Sequence, residues 1–152
     1  RKTEPVIIVD KNSEITEKEL KEFVAGERSL PIIVGYEVNV TELTDVQKKR
    51  LQDGVYVLDG LKGTLSVVGY TDDTGTDELN LMLSKERAQT VAEMVKKVVK
   101  NPDDIKIVTV GRGETNFKVP NDSDANRKLN RRIEFEFKLD SGEVIKSEEF
   151  TK

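Results

Sequence analysis

The chain has no cysteine and no histidine. It therefore has no disulfide, no thiol nucleophile, no Ser-His-Asp triad and no Cys/His zinc site. Lack of cysteine does not fix a redox compartment, because a disulfide-free chain is at home anywhere. No apolar run reaches the ~18 residues of a membrane-spanning helix. No signal peptide stands at the start. The chain begins abruptly at Arg1, which suggests a mature or excised form of something longer. Neither sign of charge dominates: 25 basic and 29 acidic residues leave a net charge of −4. That balance gives no basic footprint for nucleic acid, so none is expected as a partner.

What is present suits one domain with a small appendage. At 152 residues the chain is long enough to bury a core without staples. Val6-Ile7-Ile8-Val9 predicts a strand. Thr16 with Glu19 is a capping box that opens a short helix carrying Leu20, Phe23 and Val24. Pro31 introduces a strand-like stretch, Ile32 to Val40, and Thr44 with Gln47 caps a helix running to about Leu58. Strands are expected at Thr64–Tyr70, Ile105–Val110 and Arg131–Leu139, with a long helix over Glu78–Lys100 and a helical turn at Asp124–Asn130. Adjacent Val67 and Val68 suggest burial of both sheet faces. Strands alternating with helices argue for an α/β (α+β sandwich) fold, a mixed sheet with helices on one face. Residues 1–30 read as an N-terminal β-α extension or linker, 31–140 as the domain, and 141–152 as a loose polar tail.

Two arginines break the hydrophobic pattern. At 100° per residue, Leu83, Val91, Met94, Val95 and Val98 form one stripe of the long helix. Arg87 lies four residues from both Leu83 and Val91, on that stripe, and Asn80 lies seven residues before it. In the last strand, Ile133, Phe135 and Phe137 share a face; Arg131 has their parity, while Arg132 and Glu134 have the opposite one. A charge on an apolar row is costly unless paired. Asp72 follows a buried strand and precedes the helix of Arg87, at a βα loop of the kind that hosts ligands. One acid and two guanidiniums suit a small zwitterion: the acid accepts from an ammonium and an arginine forks a carboxylate. The bland alternative makes Asp72 an Asx-turn residue, Arg87 a salt-bridge partner and Arg131 a snorkelling stem. Asp73 and Asp77 read as turn or helix N-terminal charges.

At these residues the sequence resembles the OmpA-like family of peptidoglycan-binding domains, which includes peptidoglycan-associated lipoproteins and flagellar stator proteins. Gly69-Tyr70-Thr71-Asp72-Asp73-Thr74-Gly75 matches the family's G-[HY]-T-D-x-x-G signature. Asn80 with Leu83-Ser84-Lys85-Glu86-Arg87-Ala88 matches its N-x-x-L-S-x-x-R-A helix. Gly111-Arg112-Gly113-Glu114 and Asn130-Arg131-Arg132-Ile133-Glu134 match its G-x-G-E turn and N-R-R-V-E strand. The four motifs fall in family order. Phe117 and Asn126 depart from a usual proline and glycine in the loop before Arg131.

The resemblance implies a βαβαββ core and a non-catalytic domain without a cofactor or metal, located in the periplasm and cell envelope, associated with the outer membrane. It implies that Asp72 takes the ammonium, and Arg87 the carboxylate, of the free end of meso-diaminopimelate in the peptidoglycan stem peptide. Asn80, Thr71 and Arg131 would support that contact. Any membrane attachment would come from parts of a parent protein outside this chain, and a homodimer is compatible with the reading. A second expectation is a structural or interaction module that keeps the fold and has lost the ligand. Catalysis is not expected: Asp72 and Asp73 are adjacent carboxylates that point apart, and helper groups are missing.

Overall fold

A computed structural model describes residues 29–147. The strand and helix expected before residue 29 lie outside the described residues. The order is β1 (Ile33–Val34), α1 (Asp45–Gly54) continued by a 3-10 turn (Val55–Leu58), β2 (Gly63–Tyr70), α2 (Asp77–Val98), β3 (Ile105–Gly111), α3 (Asp124–Asn130), β4 (Arg132–Leu139) and β5 (Val144–Lys146). The sheet is mixed, with β2 parallel to β3 and antiparallel to β4. Strands β1 and β5 share the other edge of β4. This is the α/β sandwich expected from the alternation of strands and helices. No described helix is long and apolar enough to cross a membrane.

Local sequence explains the elements. The Thr44 hydroxyl accepts from Gln47 N–H, and the Gln47 side chain accepts from Thr44 N–H, so α1 opens on a complete capping box. Thr76 caps α2, with Asp77 and Glu78 in its first turn where the helix dipole favours acids. Leu65 and Val67 of β2 meet Phe137 and Phe135 of β4 across the sheet. Ala88, Val91, Ala92 and Val95 of α2 join them in the core. Fully burying one such aliphatic or aromatic side chain contributes about 1.5–3 kcal/mol.

Two glycines set the height of α2 above the sheet. A Cβ on Gly69 would lie 2.1 Å from the Ser84 carbonyl oxygen, and one on Gly111 would lie 2.7 Å from Lys85 N. The helix backbone therefore rests directly on β2 and β3 at Ser84–Lys85. That contact fixes Asn80 and Arg87, on either side of it, over the carboxyl ends of the strands.

Four expectations are corrected. The strand-like stretch Ile32–Val40 supplies only Ile33–Val34 as strand. Gly35 (φ 85°) and Asn39 (φ 61°) take left-handed conformations, which turn the chain out of the sheet. Val68 is only partly buried whereas Val67 is fully buried, because α2 covers one face of β2 and the other stays half open. The tail expected to be loose from 141 contains β5, and Ile145 is part of the core. Leu30, assigned to the extension, is also a core residue, bridged to Ser147.

Candidate functional site

The loop after β2, the start of α2, the turn after β1 and the end of α3 meet at one end of the sheet. Thr71 is held there by its N–H, which donates to Gly113 O at 2.9 Å. Its hydroxyl donates to Asp72 O at 3.0 Å. Asp72 is 3 % exposed. Its Oδ1 accepts from Thr74 N–H at 2.8 Å, an Asx turn, and its Oδ2 accepts from the Arg131 guanidinium.

Arg131 caps the C-terminus of α3 instead of starting β4. Its Nε donates to the Tyr36 carbonyl, so it ties the turn after β1 to the loop after β2. Of the two arginines on apolar rows, Asp72 pairs with one. The structure gives the ion pair to Arg131 alone.

Arg87 is fully buried, and among the described residues no carboxylate pairs with it. Its Nε donates to Val40 O at 2.7 Å and its Nη2 to Glu37 O at 3.0 Å. Its Cζ lies 4.6 Å from the centre of the Tyr36 ring, a cation–π contact. Nη1 is buried and has no hydrogen-bond partner among the described residues, and the same holds for the Tyr36 hydroxyl. Burial pulls the Arg87 pKa down to about 10, leaving it cationic at neutral pH. Burial likewise pushes the Tyr36 phenol up, against the opposing pull of the Arg87 cation, so it remains a neutral hydroxyl.

Asn80 is buried near the start of α2, and its Nδ2 donates to Glu114 Oε1 at 3.3 Å. The Glu114 carboxyl is raised above its ordinary range, first by a hydrogen bond shared with Asp77. Ser84 Oγ accepts from Gly113 N–H at 2.9 Å, which fastens the Gly111–Glu114 turn to α2. Asp73 does not enter the site: it faces Arg127 at 3.2 Å, with both side chains partly exposed. Asp77 stands in the first turn of α2, as its position in the sequence implies.

Two side chains escaped the sequence reading. Tyr36 lay inside a supposed strand, and nothing in its spacing marks it. Arg132 was placed on the solvent face by alternation, yet it is fully buried. It stacks on Tyr70, 4.0 Å from the ring centre, and donates to Glu134 Oε2 at 2.6 Å and to Asn116 O at 2.8 Å. Beside it, the Asn130 side chain bonds the backbone of Lys118 and Val119. These neighbours of Arg131 clamp the loop after β3, and the doubled arginine was the available signal.

The sequence model of the OmpA family matches residues 36–131. The chain belongs to the OmpA family. Among curated relatives, this OmpA-family chain is 37% identical over 73 residues to the probable lipoprotein YiaD of Escherichia coli, covering 48% of this chain and 32% of that protein. It is 37% identical over 70 residues to the peptidoglycan-binding protein ArfA of Mycobacterium tuberculosis, covering 46% and 21%. The chain thus spans a third or less of these two relatives. Solved structures share its fold: the periplasmic domain of Helicobacter pylori MotB (TM-score 0.59, 24% identity, 71% of each chain) and the cell wall anchor of the T6SS from Pseudomonas aeruginosa (TM-score 0.55, 24% identity, 77% of this chain and 80% of that one). The peptidoglycan-associated lipoprotein from Burkholderia pseudomallei also shares it (TM-score 0.54, 19% identity, 75% and 88%).

Proposed function

We propose that this OmpA-family domain binds peptidoglycan without catalysis and anchors an envelope protein to the cell wall, holding the diaminopimelate end of the stem peptide. The observation that carries this reading is Arg87, a buried cation whose Nη1 is unspent, set at the same sheet end as the carboxylate of Asp72. A free carboxylate on the ligand satisfies Nη1. A carboxylate offers about four lone-pair sites. Asp72 uses one for Thr74 N–H and one for Arg131, which leaves room for an ammonium. Asn80, Thr71 and Arg131 fix the walls. A stem peptide with lysine at this position has the ammonium and no adjacent carboxylate, so it leaves Arg87 unpaired and is rejected. Each charge-assisted bond contributes about 1.5–3 kcal/mol, against several lost to immobilisation. Single-site affinity is then micromolar or weaker, and avidity on a polymer makes the anchor firm. The names of ArfA, the Burkholderia lipoprotein and the Pseudomonas anchor support this partner and an envelope, periplasm-facing location.

Cosedimentation with purified sacculi tests the reading. The parent protein pellets, and Arg87→Ala and Asp72→Asn stay in solution while retaining their circular dichroism. Undiminished pelleting of both variants overturns it. One observation favours a second reading, an interaction module that has lost the ligand: Asp72 and Arg87 are both closed to solvent. An NMR titration with diaminopimelate decides between them, because the second reading allows no shifts at 71–75 or Arg87.

A further inference from the structure

The stack of Tyr36 on Arg87 holds two buried polar atoms with no partner among the described residues, the Tyr36 hydroxyl and Arg87 Nη1. An unmade hydrogen bond on a buried donor costs free energy, so such atoms call for an explanation. Two in one stacked pair make chance a poor one. Arg87 Nη1 can only donate, because a guanidinium has no acceptor, whereas the Tyr36 hydroxyl can donate or accept. No side chain among the described residues accepts from either atom.

We propose that Tyr36 is a specificity-determining residue of the ligand site, its hydroxyl donating to the same carboxylate that binds Arg87 Nη1. This rests on the stem-peptide reading above. A carboxylate offers an oxygen to each of these atoms and neutralises the buried Arg87 cation. A carboxamide gives Arg87 its one oxygen and Tyr36 only a neutral hydrogen bond, roughly half as strong as one to a carboxylate, and leaves the buried cation without a counter-charge. The site therefore distinguishes a free carboxyl from an amidated one, a finer selection than acid against no acid. The turn from Glu37 to Val40 wraps the Arg87 guanidinium through its carbonyls.

Calorimetry on the whole chain tests the proposal, with the tripeptide L-Ala-γ-D-Glu-meso-diaminopimelate and its form amidated at the free diaminopimelate carboxyl. The parent protein prefers the acid. Tyr36→Phe weakens acid binding at least about tenfold, the range of one hydrogen bond to a charged group, and narrows the preference over the amide. Its melting temperature is equal or higher, since it removes an unsatisfied buried hydroxyl. A variant that binds and discriminates like the parent overturns the role of Tyr36 and leaves the peptidoglycan reading standing. A parent protein that binds neither tripeptide overturns both.

Discussion

Asp72 and Arg131, 59 residues apart, form a buried ion pair across the site. The pair joins the loop after β2 to the end of α3, and Arg131 passes the link on to the turn after β1 through the Tyr36 carbonyl. Arg87 lies at the same end of the sheet without sharing the pair. One guanidinium thus has a carboxylate partner and the other has none among the described residues.

This division predicts different costs for the two arginines. Replacing one member of a buried pair strands the other charge, at about 3–5 kcal/mol. Arg131→Ala and Asp72→Ala are each expected to destabilise by that order in urea unfolding. The double variant costs clearly less than the sum of the two, as for groups in direct contact. Additive losses contradict a direct pair.

Arg87→Met is expected to leave stability within about 2 kcal/mol of the parent, because an apolar side chain of similar length escapes the cost of burying a charge. The Val40 and Glu37 carbonyls lose their donor, which offsets part of that gain. Sacculus binding is lost. Unfolding curves beside cosedimentation separate the two effects. A collapse in stability would make Arg87 a structural residue after all.

Gly69→Ala places a methyl 2.1 Å from the Ser84 carbonyl oxygen. That oxygen is helix backbone and cannot swing aside, so α2 must lift. Overpacking of this kind costs about 1–3 kcal/mol and sometimes more. The upper end is expected, together with weaker ligand binding, since Arg87 rides on the displaced helix. Thermal melts and the tripeptide titration read both.

Glu37 and Lys128 pair at 2.8 Å on the surface beside the turn that wraps Arg87. The Lys128 ammonium holds the Glu37 carboxyl below its ordinary 4.5, first through the hydrogen bond and then through charge. A lowered carboxyl stabilises the fold above its unfolded value and loses that contribution as pH falls through the lower folded value. The carbon-detected titration midpoint of Glu37 is expected below 4.5, and Lys128→Gln brings it back up. Global stability scarcely changes, because exposed ion pairs contribute little. An unmoved midpoint in Lys128→Gln removes the assigned cause.

Periodicity in the sequence was enough for the main elements, because burial of one face imposes it on each element separately. The stripe of Leu83, Val91 and Val95 marked α2, and the alternation of Ile133, Phe135 and Phe137 marked β4. It misled where short-range pattern competes with a turn or a distant partner. Ile32–Val40 is β-branched but carries Gly35 and Asn39, whose left-handed backbone ends the strand at Val34. Arg132 has solvent-face parity but is covered by the loop after β3 and stacked on Tyr70.

By itself the sequence determined that Arg87, Asn80 and Arg131 break apolar rows and that Asp72 ends a buried strand. Those are properties of one helix and one strand at a time, and local spacing expresses them. Only the tertiary structure decided which arginine Asp72 holds, that Tyr36 stacks on the other, and that two buried donors are left unspent. Those depend on how closely α2 sits on the sheet and where the turn after β1 crosses it. Contacts between residues 50 to 95 positions apart leave no period to read.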